Sequence, residues 1–330
     1  MLTTSRTMTA EPAAPAGENP SGVVVIDKPS GMTSHQVVAR LRRILRTRKI
    51  GHAGTLDPMA TGVLVCGVGR ATRLLGHLML GTKTYRATIR LGSSTVTDDA
   101  EGEVITAPGA AGITAADVLA LLPEFTGDIL QVPTQVSAIK IDGVRSYARV
   151  RAGEHADLKA RPVTVHRFEL LGADANNEHQ RSQEAVAEAD PGPPECDSRV
   201  GPTPPQLDVD VEVECSSGTY IRALARDLGE RLGCGGHLTA LRRTQVGPYG
   251  LDRADELTDA TETVRVIDIS TVARENFPAV ALDPDRSRDV RYGRRITLDP
   301  APAAGPVAVF DGEEFLALYD RDGRPQAVFV

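Results

Sequence analysis

The sequence predicts an α+β fold in which a mixed, largely antiparallel sheet is flanked by helices. Two stretches, Lys83–Leu91 and Leu207–Cys215, alternate polar and apolar residues as half-buried strands do. Amphipathic helical segments separate the strands, and no strand–helix–strand unit repeats along the chain, which argues against a purely parallel sheet. With 330 residues, the chain has room for one large domain and a small second one.

The first elements place a cationic helix after a buried strand. Residues 1–21 are rich in Ala, Pro, Thr and Gly, lack the apolar centre of a signal peptide, and are expected to form a disordered tail. Gly22–Asp27 is a β-branched run typical of a buried strand, and Thr33 or Ser34 is a suitable cap for the helix that follows. The apolar stripe of this helix comprises Val37, Val38, Leu41, Ile44 and Leu45, and its cationic face comprises Arg40, Arg42, Arg43 and Arg46, continued by Arg48 and Lys49.

The following segments carry simpler signals. We predict a strand at Gly62–Val68, a helix at Arg70–Leu80 and a polar turn at Asp98–Gly102. A further short helix is expected around Ser146–Arg151. A longer helix begins near Ile221 and has its leucines on one side.

Two regions differ in composition from the main domain, which is expected at 22–277. Residues 173–206 contain seven acids and two Arg, a net charge of −5, with almost no bulky apolar side chains. They are therefore predicted to be a disordered acidic insertion between two strands that pair as a hairpin. Residues 278–330 consist of short strands and turns, which predicts a small β-rich terminal module.

Composition argues against several classes of protein. No apolar run approaches the roughly 20 residues needed to span a bilayer. The four cysteines, Cys66, Cys196, Cys215 and Cys234, show no metal-ligand spacing and are expected to be buried, reduced thiols of a cytoplasmic protein. The overall charge of −7 conceals a basic segment, because residues 22–97 hold twelve Lys or Arg and two acids, a net +10. That segment favours a phosphate-bearing partner, although a merely solvated basic helix is the alternative.

The basic segment contains a distinctive loop, Gly51–Pro58, which presents His52 and Asp57 together. Asp57 precedes a proline, which disfavours a helical conformation at that residue. Gly51 and Gly54 supply permissive backbone on either side. A polar loop held this tightly is typical of a functional site, although a turn in which Asp57 bonds its own backbone is the alternative.

The absence of several well-known motifs limits the classes of reaction that the sequence predicts. It contains no Walker-type phosphate loop, dinucleotide fingerprint, metal-spaced His/Cys/acid set or nucleophile elbow, so neither a cofactor nor a metal is expected. A lone carboxylate remains, with arginines and two tyrosines nearby. Such a carboxylate can attack a sugar carbon or an electron-poor ring. Hydrolysis normally requires a second carboxylate to handle water, whereas isomerisation of a glycosidic bond consumes no water.

The loop and its continuation, Gly51–Leu64, resemble the central motif of the TruB family, the bacterial tRNA pseudouridine-55 synthases. Six supporting motifs follow the family order, at Asp27–Gly31, Lys83–Arg86, Asp98–Gly102, Pro133–Lys140, Ser217–Arg222 and Leu241–Arg243. The resemblance covers about 22–257 without the insertion. It implies a pseudouridine-synthase-type fold for the catalytic domain and, more weakly, a PUA-like RNA-binding barrel for the terminal module.

The resemblance implies that Asp57 is a nucleophile that cleaves the N1–C1′ bond of a uridine so that C5 can rejoin the ribose. Attack at C1′, attack on the ring and stabilisation of a glycal remain alternatives. Arg222 would pair with Asp57, since an adjacent guanidinium favours the charged form of a carboxyl group. Tyr85 would lie on the flipped base and assist proton removal at C5.

The resemblance also implies four substrate-binding residues. His52 would enter the space that the target base leaves in its stack, a role that the free-energy cost of base extrusion also favours. Tyr220 and Leu241 would line the base pocket, and Lys28 would support the active site.

The resulting hypothesis is a stand-alone tRNA pseudouridine synthase that acts on the T-arm as a monomer, without guide RNA or a membrane. Three alternatives stay open. One is an RNA chaperone that uses the same basic face without chemistry. Another is a relative that works with a guide RNA and protein partners, which the short terminal module disfavours. The third is a nucleoside or RNA glycosidase, which would release free uracil.

Overall fold

The computed structural model describes residues 20–134, 140–141, 144–145, 158–176, 204–298 and 305–330. Its helices are α1 (Ser34–Ile44), α2 (Leu75–Leu78), α3 (Ala115–Leu121), α4 (Ile221–Arg231), α5 (Ile269–Asn276) and α6 (Pro284–Arg291). Its strands are β1 (Gly22–Lys28), β2 (Ile50–His52), β3 (Thr61–Val68), β4 (Lys83–Leu91), β5 (Ser94–Thr95), β6 (Val104–Thr106), β7 (Gly127–Gln131), β8 (Lys140–Ile141), β9 (Val144–Arg145), β10 (Arg161–Asn176), β11 (Gln206–Cys215), β12 (Gly236–Val246), β13 (Tyr249–Gly250), β14 (Asp255–Glu256), β15 (Ile267–Asp268), β16 (Ala279–Ala281), β17 (Val307–Asp311), β18 (Glu314–Tyr319) and β19 (Pro325–Val328).

The chain divides into two compact units. The first gathers the described residues before 57 together with 64–79 and those from 252 onward. The second comprises the described residues of 57–63 and 80–251.

Strand β1 is central to the first unit. It pairs in parallel with β14 and antiparallel with β15. Its β-branched run Val23–Ile26 is almost completely buried, which confirms the predicted buried strand. Burial of these branched side chains stabilises the unit through the hydrophobic effect.

Helix α1 follows β1 and begins as the sequence predicts. The Thr33 side chain accepts a hydrogen bond from the Gln36 backbone N–H, and the Gln36 side chain accepts one from the Thr33 backbone N–H. This reciprocal capping box satisfies two backbone donors that the first turn would leave unpaired. Val37, Val38 and Leu41 are buried, so the predicted apolar stripe faces the core.

The predicted helix at Arg70–Leu80 is wrong. Residues Gly69–Arg73 form a 3₁₀ turn, and α2 adds only a single α-helical turn after it. The Thr72 hydroxyl donates to the Gly69 carbonyl at 2.9 Å, a local bond of the kind that competes with a continuous helical ladder.

The second unit contains the sheet that the alternating patterns predict. Strands β12, β4, β11, β10 and β7 are neighbours in that order, and each adjacent pair is antiparallel. The start of β3 joins β12 in parallel, with Thr61 opposite Arg242. The mixed, largely antiparallel sheet of an α+β fold is therefore confirmed.

The predicted hairpin around the acidic insertion is also present. Strands β10 and β11 pair along their length, and Asn176 lies opposite Gln206. Strand structure thus continues to Asn176 and begins again at Gln206, so both ends of the predicted insertion belong to the hairpin. Residues 177–203 lie outside the described part of the chain, as does the helix predicted around Ser146–Arg151.

The terminal module within the first unit is β-rich, as predicted. Its four strands have the order β16, β17, β18, β19. Helix α6, which the sequence pattern did not suggest, starts at an Asp283 side chain that caps it and at a proline in its first turn. A separate core forms there from residues that include Leu282, Val290, Val307 and Leu316.

The compositional expectations can be checked only on described residues. Cys66, Cys215 and Cys234 are buried free thiols, as expected, and Cys196 lies outside the described ranges. Among the described helices, none combines the length and the apolar character required to cross a bilayer.

Gly62 provides a test of how tightly β3 and β12 pack. Its φ is +100°, and a Cβ added there would overlap the carbonyl group of Arg243, whereas Gly112 (φ +79°) faces open space. We expect Gly112→Ala to lower the free energy of unfolding by about 1 kcal/mol through left-handed backbone strain alone. Gly62→Ala should cost more than about 3 kcal/mol, because steric overlap adds to that strain. Urea unfolding of both variants measures the difference, and equal costs would contradict the packing.

Candidate active site

An ion pair between Asp57 and Arg222 lies at the centre of the candidate site in the second unit. The Arg222 Nε atom is 3.1 Å from Asp57 Oδ2. The Asp57 side chain is 36% exposed and the Arg222 side chain only 6%. The carboxylate can therefore meet a substrate from solvent while its cationic partner stays in the protein interior.

Hydrogen bonds hold the backbone in place on both sides of Asp57. The Asp57 carbonyl accepts a hydrogen bond from the Ala60 N–H at 3.1 Å, which closes a turn through Pro58. Within the first unit, the buried Ser34 hydroxyl donates to the Leu56 carbonyl at 3.1 Å and accepts from the Leu56 N–H at 2.9 Å. The loop is shorter than expected, because β2 continues through His52.

Arg222 is also bound to a second, fully buried carboxylate. Its Nη1 atom lies 3.2 Å from Asp99 Oδ2 and donates to the Thr97 carbonyl at 2.8 Å. Asp99 Oδ1 accepts hydrogen bonds from the Thr97 hydroxyl at 2.5 Å and the Glu101 N–H at 3.1 Å. Both oxygens of the Asp99 carboxylate thus have partners, and Asp99 contacts the guanidinium at Nη1, whereas the solvent-accessible Asp57 contacts it at Nε.

The neighbouring Asp98 is buried and has an unusual backbone conformation. It adopts φ +59°, unusual for a residue other than glycine, and its carboxylate lies 3.3 Å from Arg226 Nη1. Burial raises the pKa of Asp98 to about 6, against the opposing effect of Arg226 and Arg222. The predicted polar turn is therefore a turn whose first two carboxylates are buried.

Tyr85 occupies the buried face of β4, where Arg243 of β12 lies directly opposite it. Arg243 is 1% exposed and donates from Nε to the Val63 carbonyl at 2.7 Å. Burial raises the pKa of Tyr85, while the hydrogen-bonded Arg243 side chain acts in the opposite direction. At neutral pH the site therefore contains an uncharged phenol beside a buried guanidinium.

Lys83 and Leu241 continue the same buried face. Leu241 lies opposite Ala87 in the strand register and is 8% exposed. Burial, with a smaller contribution from Arg243, lowers the pKa of Lys83 to about 8. Tyr220 is half-buried at the N-cap of α4, two residues before Arg222.

His52 and Lys28 belong to the first unit. The buried Lys28 ammonium donates to the carbonyls of Pro29 and Met32, at 2.9 and 2.6 Å, and so closes the turn after β1. The His52 ring contacts His35 edge to face, with 5.4 Å between centroids. Asp57, Tyr85, Arg222 and Leu241 lie in the second unit, whereas His52 and Lys28 lie in the first.

Sequence reasoning missed Asp99 and Arg243 as site residues. Asp99 lies in a motif that was predicted to be a polar turn, and no local pattern reveals that a distant helix supplies its partner. Arg243 could have been found, because it is two residues after Leu241 in a strand and alternate residues share a face. No group of three or more His, Cys, Asp or Glu side chains in the described ranges is arranged to hold a metal ion.

The fold is similar to that of a chain in the crystal structure of a Cbf5–Nop10–Gar1 complex. That likeness has a TM-score of 0.63 and 24% sequence identity, and covers 94% of this chain and 85% of the other. Residues 42–188 match the family described as TruB family pseudouridylate synthase (N terminal domain). Residues 222–275 match the family described as tRNA pseudouridylate synthase B C-terminal domain. The class of protein that these matches define is a pseudouridylate synthase.

The relatives extend this conclusion to nearly the whole chain. Proteins named tRNA pseudouridine synthase B from Arthrobacter sp. (strain FB24) and Nocardia farcinica (strain IFM 10152) are 52% and 53% identical to it. Each match covers 94% of this chain, and 96% and 92% of the respective relative. The chain therefore belongs to the TruB family.

The raised pKa of Asp98 predicts a specific pH dependence of stability. The folded protein binds a proton at Asp98 more tightly than the unfolded chain does, so this group lowers the free energy of unfolding as pH rises from 3.8 to about 6. We expect Asp98→Asn to remove this decrease, which amounts to at most about 3 kcal/mol. Urea unfolding across that pH range compares the two slopes. Parallel pH profiles for Asp98→Asn and the wild type would contradict the assignment.

Proposed function

We propose that this chain converts the T-loop uridine of tRNA, at position 55, into pseudouridine. The chain is an isomerase of the TruB family, and the relatives described above are named for activity on tRNA. The observation that supports the site assignment is the ion pair between the accessible Asp57 and the buried Arg222.

The proposed reaction requires few catalytic groups besides the ion pair between Asp57 and Arg222. The reaction breaks the N1–C1′ bond and forms a C5–C1′ bond, while a proton leaves C5 and N1 gains one. Because no water is consumed, the second carboxylate of a hydrolase is unnecessary. Attack at C1′, attack on the ring and glycal stabilisation all use the Asp57 carboxylate, and the Arg222 Nε atom lies 3.1 Å from its Oδ2 atom.

The remaining site residues support handling of the extruded base. Tyr85 and Leu241 share a buried sheet face beside Arg243, which suits contact with a flat uracil ring. We assign Tyr85 to the face of the base, with proton removal at C5 as its further role, and Tyr220 to the pocket. His52 is assigned to the vacated position in the RNA stack, because a planar ring can replace lost stacking. Lys28 supports the turn after β1.

RNA binding is assigned to four residues of the predicted cationic face and its continuation, Arg43, Arg46, Arg48 and Lys49. All four are exposed, and within the described ranges no acid forms an ion pair with any of them. Two further arginines of the predicted face already have partners within the protein. Arg40 forms an ion pair with Asp259, and Arg42 donates a hydrogen bond to a backbone carbonyl. Unneutralised cations attract phosphates most strongly, because no intramolecular partner has to be displaced.

Much of the positive charge of the terminal module is neutralised by acids of the same module. Four of its arginines form ion pairs within the module: Arg286 with Asp283, Arg288 with Asp285, Arg291 with Asp311 and Glu314, and Arg294 with Asp289. We therefore place most of the electrostatic affinity on the cationic face. The proposal includes action on free tRNA as a monomer in the cytoplasm, without a guide RNA.

The first test is Asp57→Asn, which removes the charged acceptor and leaves the surface intact. Pseudouridine formation should fall by roughly 10⁴-fold or more, while the Kd for tRNA stays unchanged. Carbodiimide-adduct primer extension on an unmodified tRNA transcript measures the product, and filter binding measures the Kd. Asp252→Asn, at an exposed position, is the matched control and should behave as wild type. Normal turnover by Asp57→Asn would contradict the assignment, and release of free uracil would indicate a glycosidase.

The second test concerns the cationic face. Arg46→Gln, Arg48→Gln and Lys49→Gln should each weaken tRNA binding. Each should also reduce the slope of log K against log salt by about 0.7–0.9, the value for one phosphate contact. Arg288→Gln removes a cation that Asp285 already neutralises, so its salt slope should stay at the wild-type value. If the four variants gave the same slope, phosphate binding would lie elsewhere.

A further inference from the structure

The Gln131 side chain forms a two-bond clip on the residue that opens helix α4. Its amide oxygen accepts a hydrogen bond from the Tyr220 N–H at 2.8 Å, and its amide nitrogen donates to the Tyr220 carbonyl at 3.0 Å. Gln131 is the last residue of β7 and is 2% exposed. One buried side chain thus bonds both backbone polar groups of Tyr220, as an adjacent strand would.

The clip lies immediately before Arg222. Tyr220 is the N-cap of α4, and its own side chain forms no capping hydrogen bond. One turn after Arg222, the Arg226 Nη2 atom donates to the carbonyl of Val132, the residue after Gln131, at 2.9 Å. The end of β7 is therefore joined to the start of α4 on both sides of Arg222.

We propose that Gln131 is a positioning residue for the reaction, which holds the Arg222 guanidinium in place by fixing the backbone at Tyr220. This inference rests on the proposed function. Arg222 contacts Asp57 at 3.1 Å and Asp99 at 3.2 Å, so a shift of its helix end would lengthen both contacts. A misplacement of about 1 Å at a catalytic group can reduce the rate about 100-fold.

A bond that only stabilises the fold would act differently. It would lower the melting temperature without changing kcat of the enzyme that remains folded. Positioning of Arg222 instead predicts a lower kcat at an unchanged KM, because the cationic face, on which we place most of the affinity for RNA, is not part of the clip.

Gln131→Met tests the proposal, since methionine matches glutamine in length and removes both hydrogen bonds. We expect kcat for pseudouridine formation on a tRNA transcript to fall about 10- to 100-fold, with KM and the Kd for tRNA unchanged, at a temperature where the variant is folded. Gln206→Met is the matched control. It removes a hydrogen bond to the Ser93 hydroxyl at the start of β11, and its kcat should equal that of the wild type.

A second variant and a spectroscopic signal keep the test decisive if Gln131→Met fails to fold. Gln131→Glu keeps the acceptor for the Tyr220 N–H and should show an intermediate kcat. The ¹H–¹⁵N signal of Arg222 Nε, assigned by its loss in Arg222→Lys, should shift or broaden in either Gln131 variant and not in Gln206→Met.

Two outcomes would separate the possible failures. Wild-type kcat and an unchanged Arg222 Nε signal in folded Gln131 variants would overturn the positioning role. A wild-type protein that forms no pseudouridine would overturn the proposed function instead, and the Arg222 Nε signal would still test whether the clip orients the guanidinium.

Discussion

The buried guanidinium of Arg222 is the constraint on which the site depends. A cation removed from water is costly unless charged and hydrogen-bonding partners surround it. Asp99 and the Thr97 carbonyl provide those partners inside the protein, so the position of the guanidinium is determined before any substrate arrives. Asp57, which is partly exposed to solvent, is a further partner of the same guanidinium. The Asp57 carboxylate is consequently more accessible to solvent than the guanidinium and the Asp99 carboxylate to which it is connected.

A second buried guanidinium, that of Arg243, organises the other half of the site. It connects the sheet to the start of β3 through the Val63 carbonyl, and it lies opposite Tyr85 in the strand register. Gly62 permits this arrangement, because any side chain there would collide with the Arg243 backbone. The carboxylates of Asp57 and Asp99 and the phenol of Tyr85 thus each have a cation beside them. The start of β3, which follows the Asp57 loop, brings both halves of the site into the second unit.

Local patterns predicted the elements whose stabilising interactions are themselves local or periodic. The capping box at Thr33, the alternation in β4 and β11 and the hairpin partners around the insertion all follow from neighbouring residues. The position of Asp57 in a loop before a strand also follows from its proline and glycines. These features made the sheet, the cationic helix and the central loop predictable, although the length of that loop was overestimated.

Features that depend on distant partners were not predictable in this way. The burial of Asp99 requires a guanidinium from a helix more than a hundred residues later. The interrupted helix after Gly69 coincides with a local hydrogen bond from the Thr72 side chain, which the apolar pattern does not reveal. The two backbone bonds of Gln131 have no sequence signature, because glutamine carries neither a special propensity nor a motif at that position.

The β10–β11 hairpin has one more consequence, for long-range electrostatics. Val213 lies opposite Tyr85, whereas the chain enters the acidic segment 177–203 after Asn176 and has left it by Gln206. Seven residues of extended strand separate Val213 from Gln206, about 23 Å at the usual rise. That distance is nearly three screening lengths at physiological ionic strength, where the Debye length is about 8 Å. At the tip of this hairpin, additional chain can therefore attach at a distance from Tyr85 over which interactions between exposed charges are largely screened.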